Sequence, residues 1–213
     1  FQEATRQGDL RAMVTYALFL ETGTLVPRDI PAALDLLEQA AQRGSPDAAI
    51  NLAFQLLQRP GPENSRRGIA LLEKAAEAGS AIAMYNLGVL AEQGRHGKAE
   101  DALAHFLRAA EWGRAQGYVS AAILLDEGRG IPADPEQAAN LLLRAAIADG
   151  GDTIAQLSEP SQAWSRQTIR AMQTVLQEAG LYTASLDGLS GPNFRRALTA
   201  WRNGGYAEGL LVQ

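Results

Sequence analysis

The sequence predicts an all-α protein, a right-handed α-solenoid of four helix pairs followed by a small helical module. Three observations predict it. Ala-Ala pairs recur at Ala40-Ala41, Ala75-Ala76, Ala109-Ala110 and Ala145-Ala146, at intervals of 35, 34 and 36 residues. A glycine follows the first three pairs at one offset (Gly44, Gly79, Gly113), and Gly150 follows the fourth one residue later. Each interval holds two stretches of helical periodicity parted by turn-forming residues, and the period stops after Gly150-Gly151.

The first pair reads GDLRAMVTYALFLETG, a break at TLVPRD, then IPAALDLLEQAAQRG. Aligned on the glycines, the first helices share two small-residue columns: Ala12, Ala48, Ala83 and Gly117, then Ala17, Ala53, Gly88 and Ala122. Small side chains at that spacing let helix backbones approach closely. The second helices share Leu37, Leu72, Phe106 and Leu142, which fill the space between neighbouring units. A single hairpin of this length cannot bury its own apolar face, so the units must stack.

Composition sets outer bounds. The chain of 213 residues is 46% hydrophobic and 20% charged, with a net charge of −5, which argues against intrinsic disorder and gives no attraction for nucleic-acid phosphates. No run of 18 apolar residues exists, so no membrane insertion is expected. The lack of cysteine excludes disulfides and thiolate sites. The opening FQEATRQGDL has neither an initiator Met nor an apolar signal core, as expected of a trimmed or mature fragment.

These columns resemble Sel1-like repeats, relatives of the tetratricopeptide repeat. GRGIPADPEQAANLLLRAA, Gly128 to Ala146, follows the family pattern of glycines, an aspartate and a closing Ala-Ala pair, and ETGTLVPRDIPAALDLLEQAAQRG is nearly as good. GPENSRRG and GRHGKAE replace the usual inter-helix loop in units two and three. The resemblance covers residues 8–150 and implies a protein-binding scaffold.

Residues 151–162, GDTIAQLSEPSQ, read as a connector. Beyond it, Ile169, Met172, Leu176 and Ala179 share one helical face, and Phe194, Ala197, Leu198 and Trp201 another. Residues 163–213 resemble the peptidoglycan-binding-like domain at Gln173, Leu176, Gly180, Asp187-Gly188, Gly191, Ala197 and Trp201. Phe194 and Arg202 depart from that pattern, and the tail GYAEGLLVQ is short for its third helix. The resemblance implies a glycan contact by Tyr182, Asp187, Arg195, Arg196 and Trp201. The residues themselves allow plainer roles: a turn for Asp187, a solvated face for the arginines, core for Trp201. About fifty residues are marginal alone, so this module is expected to dock on the fourth repeat as its cap.

No motif reads as an active site. Gly128–Ala133 matches a loose dinucleotide fingerprint but follows a helix where a strand is required. Arg95-His96-Gly97 lies in a turn with few bases nearby, and His105 falls in the apolar column of Leu36, Leu71 and Leu141. Two histidines without a carboxylate cluster support no metal site, and no cofactor is expected.

A partner surface is expected on the first helices, which line the concave side of such solenoids. A polar column of Thr15, Asn51, Asn86 and Ser120 recurs there, beside Arg11 and Gln116, then Phe54, Tyr85 and Gln93. Amides and hydroxyls can bond an extended peptide while Phe54 and Tyr85 anchor it; equally, Asn51 and Asn86 can bridge adjacent repeats. Glu21, Glu92 and Asp126 at one edge favour a neutral or basic segment.

The order of the two parts is similar to the periplasmic end of alphaproteobacterial polarity proteins. The expectation is a non-enzymatic scaffold of the bacterial cell envelope, periplasmic, binding a protein or peptide and in addition peptidoglycan. The alternative is a regulatory or recruiting appendage of an enzyme whose catalytic domain lies upstream of Phe1.

Overall fold

The computed structural model describes residues 1–158 and 164–205, and all regular structure there is helical. The helices are α1 (Gln2–Arg6), α2 (Leu10–Thr22), α3 (Ile30–Gln42), α4 (Pro46–Leu57), α5 (Pro62–Glu77), α6 (Ala81–Glu92), α7 (Ala99–Glu111), α8 (Gln116–Glu127), α9 (Pro135–Ala148), α10 (Asp152–Ser158), α11 (Arg166–Glu178) and α12 (Pro192–Ala200), followed by a turn, Trp201–Gly205. The expected pairs are present as α2–α3, α4–α5, α6–α7 and α8–α9. Contacts divide the chain into two compact units, residues 1–87 and 88–213.

In the first unit, the starts of α2, α3 and α4 are each set by a side chain that accepts the N–H three residues on. Asp9 accepts from Ala12 at 2.8 Å, Asp29 from Ala32 at 3.0 Å and Ser45 from Ala48 at 3.2 Å. The core is Met13, Ala17, Leu20, Ala33, Leu37, Ala40, Ala48, Leu52 and Leu56. Helices α4 and α5 cross closely at Gly68, where a Cβ would lie 2.8 Å from Leu57 Cγ and 3.0 Å from the Ala53 carbonyl. Burying each leucine contributes about 1.5–3 kcal/mol, which an isolated helix of this length could not obtain from its own turns.

Residues 1–9 repeat the closing turn of the second helices. Gly8 N–H donates to Thr5 O at 2.9 Å and Asp9 N–H to Ala4 O at 3.0 Å, and the same pair of bonds runs from Gly44 to Ala41 and from Ser45 to Ala40, each at 3.0 Å. Gly8 takes φ +82° and Gly44 φ +89°, the left-handed conformation that ends a helix at low cost in glycine.

In the second unit the small-residue columns do what their spacing implies. A Cβ on Gly117 would lie 2.2 Å from the Phe106 carbonyl, so α8 meets the α7 backbone directly. Phe106 and Leu142 are fully buried. Residues 152–158, expected to belong to a connector, form α10 instead. The Asp149 carboxylate caps it, accepting from Gly151 N–H at 2.9 Å, Thr153 N–H at 2.7 Å and the Thr153 hydroxyl, while Leu157 is buried. The rest of that stretch, and residues 206–213 of the C-terminal tail, lie outside the described residues.

The C-terminal helices dock on the fourth repeat, as expected. Asp126, near the end of α8, accepts from Ser165 N–H at 3.0 Å, from the Ser165 hydroxyl at 2.6 Å and from the Thr168 hydroxyl. Helix α11 packs on α9, and the Trp201 indole N–H donates to the Leu143 carbonyl of α9 at 3.1 Å.

Candidate functional site

The first helices of the first unit carry the predicted polar column, and its geometry bears on one of the roles offered for it, the bridging of adjacent repeats. Thr15 Oγ1 donates to the Arg11 carbonyl at 2.9 Å, Asn51 Nδ2 to Asp47 O at 2.8 Å and Asn86 Nδ2 to Ile82 O at 2.7 Å. Every bond runs one turn back along the same helix. None bridges adjacent repeats, so that alternative is set aside for Asn51 and Asn86. The amides are held in place with Oδ1 as an acceptor that has no partner among the described residues.

One turn from that column stands an exposed apolar set. Leu18 is 39% exposed, Phe54 37% and Ile82 44%. Residues three and four apart share a helix face, so Thr15 lies beside Leu18, Asn51 beside Phe54, and Asn86 beside Ile82. Leu18 and Ile82 were missed in the sequence, where the signal was their one-turn spacing from the polar column. Tyr85 is half-buried, in the register of Val14 and the buried Ile50, and offers less ring than Phe54. Arg11 is exposed one turn before Thr15.

In the second unit, Gln93 and Gln116 are exposed and Ser120 is half-buried. The expected acidic edge is altered: the Asp126 carboxylate is occupied by Ser165 and Thr168, and Glu92 pairs with Arg129 at 2.9 Å. Two of the three acids are therefore already engaged within the fold.

The C-terminal residues form a second candidate site, with two corrections. Trp201 is fully buried and bonded to Leu143, so it presents no ring face to a sugar. Tyr182 is 5% exposed; its hydroxyl accepts from Gln173 Nε2 at 3.1 Å and donates to Ser185 O at 3.0 Å. Both aromatics were needed by the packing. Burial, and then the Asp187 carboxylate, push the Tyr182 phenol above its ordinary value.

Gln173, fully buried, is the hub of this module. Its amide donates to Asp187 Oδ1 at 2.9 Å and Leu189 O at 3.1 Å, and its Oε1 accepts Gly188 N–H at 2.9 Å. The Gln173 bond, with Leu189 N–H behind it, holds the exposed Asp187 carboxyl below the usual carboxylate range. Asp187 thus serves the turn. Gly188 adopts φ +71° with Arg166 O 2.4 Å from where a Cβ would stand. Arg195 and Arg196 are exposed, and Arg196 borders a cleft of about 390 Å³ with Leu181, Thr183, Ala184 and Asn193.

His105 is half-buried in its leucine column; burial outweighs the attraction of Asp101 and, with His96 and Arg108, holds its pKa below 6.5. Among the described residues no helix is long and apolar enough to cross a membrane.

Comparison with known proteins follows the same register. The family model described as Sel1 repeat matches residues 10–45, 46–80, 81–112 and 114–149, well over half of the chain. A Sel1 repeat protein from Oxalobacter formigenes superposes with a TM-score of 0.62 at 19% identity, covering 96% of this chain and 75% of that one. The protective antigen c5321 of uropathogenic Escherichia coli, described as displaying an SLR fold, gives 0.61 at 23% identity over 99% of this chain and 49% of its own. The immunity protein Pa5087 from Pseudomonas aeruginosa gives 0.53 at 16% identity, covering 99% and 76%. At these identities the likeness is one of fold. No curated protein sequence matches the chain.

Proposed function

The chain belongs to the Sel1 repeat family, and from that premise we propose that it is a non-catalytic scaffold binding a protein partner along the first helices of its repeats. Sel1 repeats bind protein partners. One observation carries the reading here: a row of pinned polar groups, Thr15, Asn51 and Asn86, flanked by the exposed Leu18, Phe54 and Ile82. Such a row offers fixed acceptors to the N–H groups of an extended segment and apolar seats for its side chains, with little ordering left to do on binding.

The finer reading is an envelope scaffold, in which residues 8–150 recruit the partner and residues 163–213 form a separate module, an order similar to the periplasmic part of the polarity protein PodJ. Peptidoglycan contact is a second reading, supported by the cleft beside Arg196 and by exposed Arg195, which makes no ion pair among the described residues. It no longer involves Trp201 or Tyr182 ring faces.

Asn51→Ala with Asn86→Ala tests the first reading. Affinity for the partner should fall while the unfolding midpoint holds; unchanged affinity would remove the row from the interface. Retention on purified sacculi, abolished by Arg195→Ala with Arg196→Ala, tests the second. No retention of the unaltered protein would dismiss it.

A further inference from the structure

In the first unit an ion pair between Glu38 and Arg67 straps the second helices α3 and α5 together. Counted from the Ala-Ala pairs, the same two positions on α7 and α9 hold Leu107 and Gln137, which cannot pair. Other positions along the groove change with them. Tyr118 stands where Ala49 does, Asn140 where Ala70 does, Glu111 where Gln42 does and Glu136 where Arg66 does. The strap is gone, an aromatic wall and an amide have been added, and the rim has turned from basic to acidic.

Where the strap is missing lies a cleft of about 330 Å³. Half-buried Leu107 and Tyr118 and the buried Leu141 give it an apolar lining. Glu111, Asp134 and Glu136 are exposed around it, against a single guanidinium, that of Arg144. Asp134 has one oxygen committed to the Gln137 N–H at 2.9 Å. Acidity is not the only signal. Asn140 lines the cleft, and its Oδ1 is buried with no hydrogen-bond partner among the described residues. Buried acceptors are nearly always satisfied, so one left open in the wall of a cleft calls for a donor from outside the chain.

We propose that this cleft binds one basic side chain of a protein partner, a lysine or an arginine. The methylene stem lies on Leu107, Tyr118 and Leu141, as such stems do on apolar surface. The N–H groups at its tip donate to Asn140 Oδ1 and to the carboxylates of Glu111 and Glu136, in charge-assisted bonds of the stronger kind. Selectivity follows from the same groups. A carboxylate or phosphate would bring acceptors to an acceptor and negative charge to a negative rim, and an apolar side chain would leave Oδ1 unpaired. Volume sets the size of the guest. The cleft is near the lower end of ligand pockets, roughly 300–1,000 Å³, which suits one side chain and not a length of backbone. None of its residues belongs to the row of Thr15, Asn51 and Asn86, so the row could fail as an interface while this pocket stands.

NMR titration of the 213-residue chain with blocked tripeptides, acetyl-Gly-Xaa-Gly-amide with lysine, arginine, glutamine or glutamate in the middle, tests the pocket. The lysine and arginine peptides, raised to ~10 mM at physiological ionic strength, should give saturable shifts of the Asn140 side-chain amide and the Tyr118 ring. The glutamine and glutamate peptides should give none. Asn140→Leu, followed at the Tyr118 ring, should weaken binding by roughly tenfold or more. Glu111→Gln with Glu136→Arg places the residues of the α3–α5 groove at two exposed positions, and should abolish binding in a protein that stays folded. No saturable shift with either cationic peptide, or equal shifts with the glutamine peptide, would overturn the proposal. So would binding of cadaverine where both peptides fail, since the cleft would then serve a free diamine.

Discussion

Gly88 lies directly against the Phe106 ring: a Cβ on Gly88 would stand 2.7 Å from both Cδ1 and Cε1. In the other repeats the same two positions hold an alanine and a leucine, Ala17 with Leu37, Ala53 with Leu72, and Ala122 with Leu142. The third repeat has exchanged both sizes together. Volume is conserved across the pair, as close packing requires.

Gly88→Ala should therefore destabilise by about 1–3 kcal/mol through overpacking. Adding Phe106→Leu should recover most of that loss, because the double variant restores the pair used by the other repeats. Urea denaturation of the four combinations measures the coupling; additive losses would show that the two positions do not share one space.

Trp201→Ala should cost about 3–5 kcal/mol, the range for removing a large buried aromatic. Trp201→Phe keeps most of the volume but leaves the Leu143 carbonyl without this donor, for about 1–3 kcal/mol. Both should act on stability alone. A Trp201→Phe protein with native stability and altered glycan retention would contradict the buried placement.

Asp126→Ala removes the acceptor shared by Ser165 and Thr168. After cleavage at a protease site placed between Asp152 and Ser161, the unaltered fragments should co-elute on gel filtration. In the Asp126→Ala protein they should separate. Separation in both would make the C-terminal module an independent bead.

His105 is held below its ordinary 6.5, first by burial. The unfolded chain therefore takes up its proton at higher pH than the folded protein does. The stability linked to this group is full above the unfolded value and is lost as pH falls through 6.5 toward the folded one. His105→Leu, the residue at Leu36, Leu71 and Leu141, should flatten the stability profile in that window; an unchanged slope between pH 7 and about 5 would assign it to other groups.

The repeat was legible because it is written four times. The columns of Leu37 and Ala12 are short-range patterns, and stacking preserves them. What could not be read rests on single long-range events. The bond from Trp201 to a carbonyl 58 residues away decides that its ring is core, and Asp126 turned from a surface acid into a latch through a partner 39 residues on. For Leu18 and Ile82 the one signal in sequence is their one-turn spacing from the polar column, since any apolar residue on a helix otherwise suits a core equally well. Asn51 and Asn86 share a column by their spacing, but that spacing does not show that their amides turn back on their own helices.

The most direct test of partner binding is site-specific photo-cross-linking in living cells, with the reactive side chain placed at Phe54 on α4 or at Lys74 on the exposed side of α5. The account predicts one discrete protein adduct from position 54, lost when Asn51 and Asn86 are both alanine, and none from position 74. Equal adducts from both positions, or an adduct at 54 indifferent to the asparagines, would contradict it.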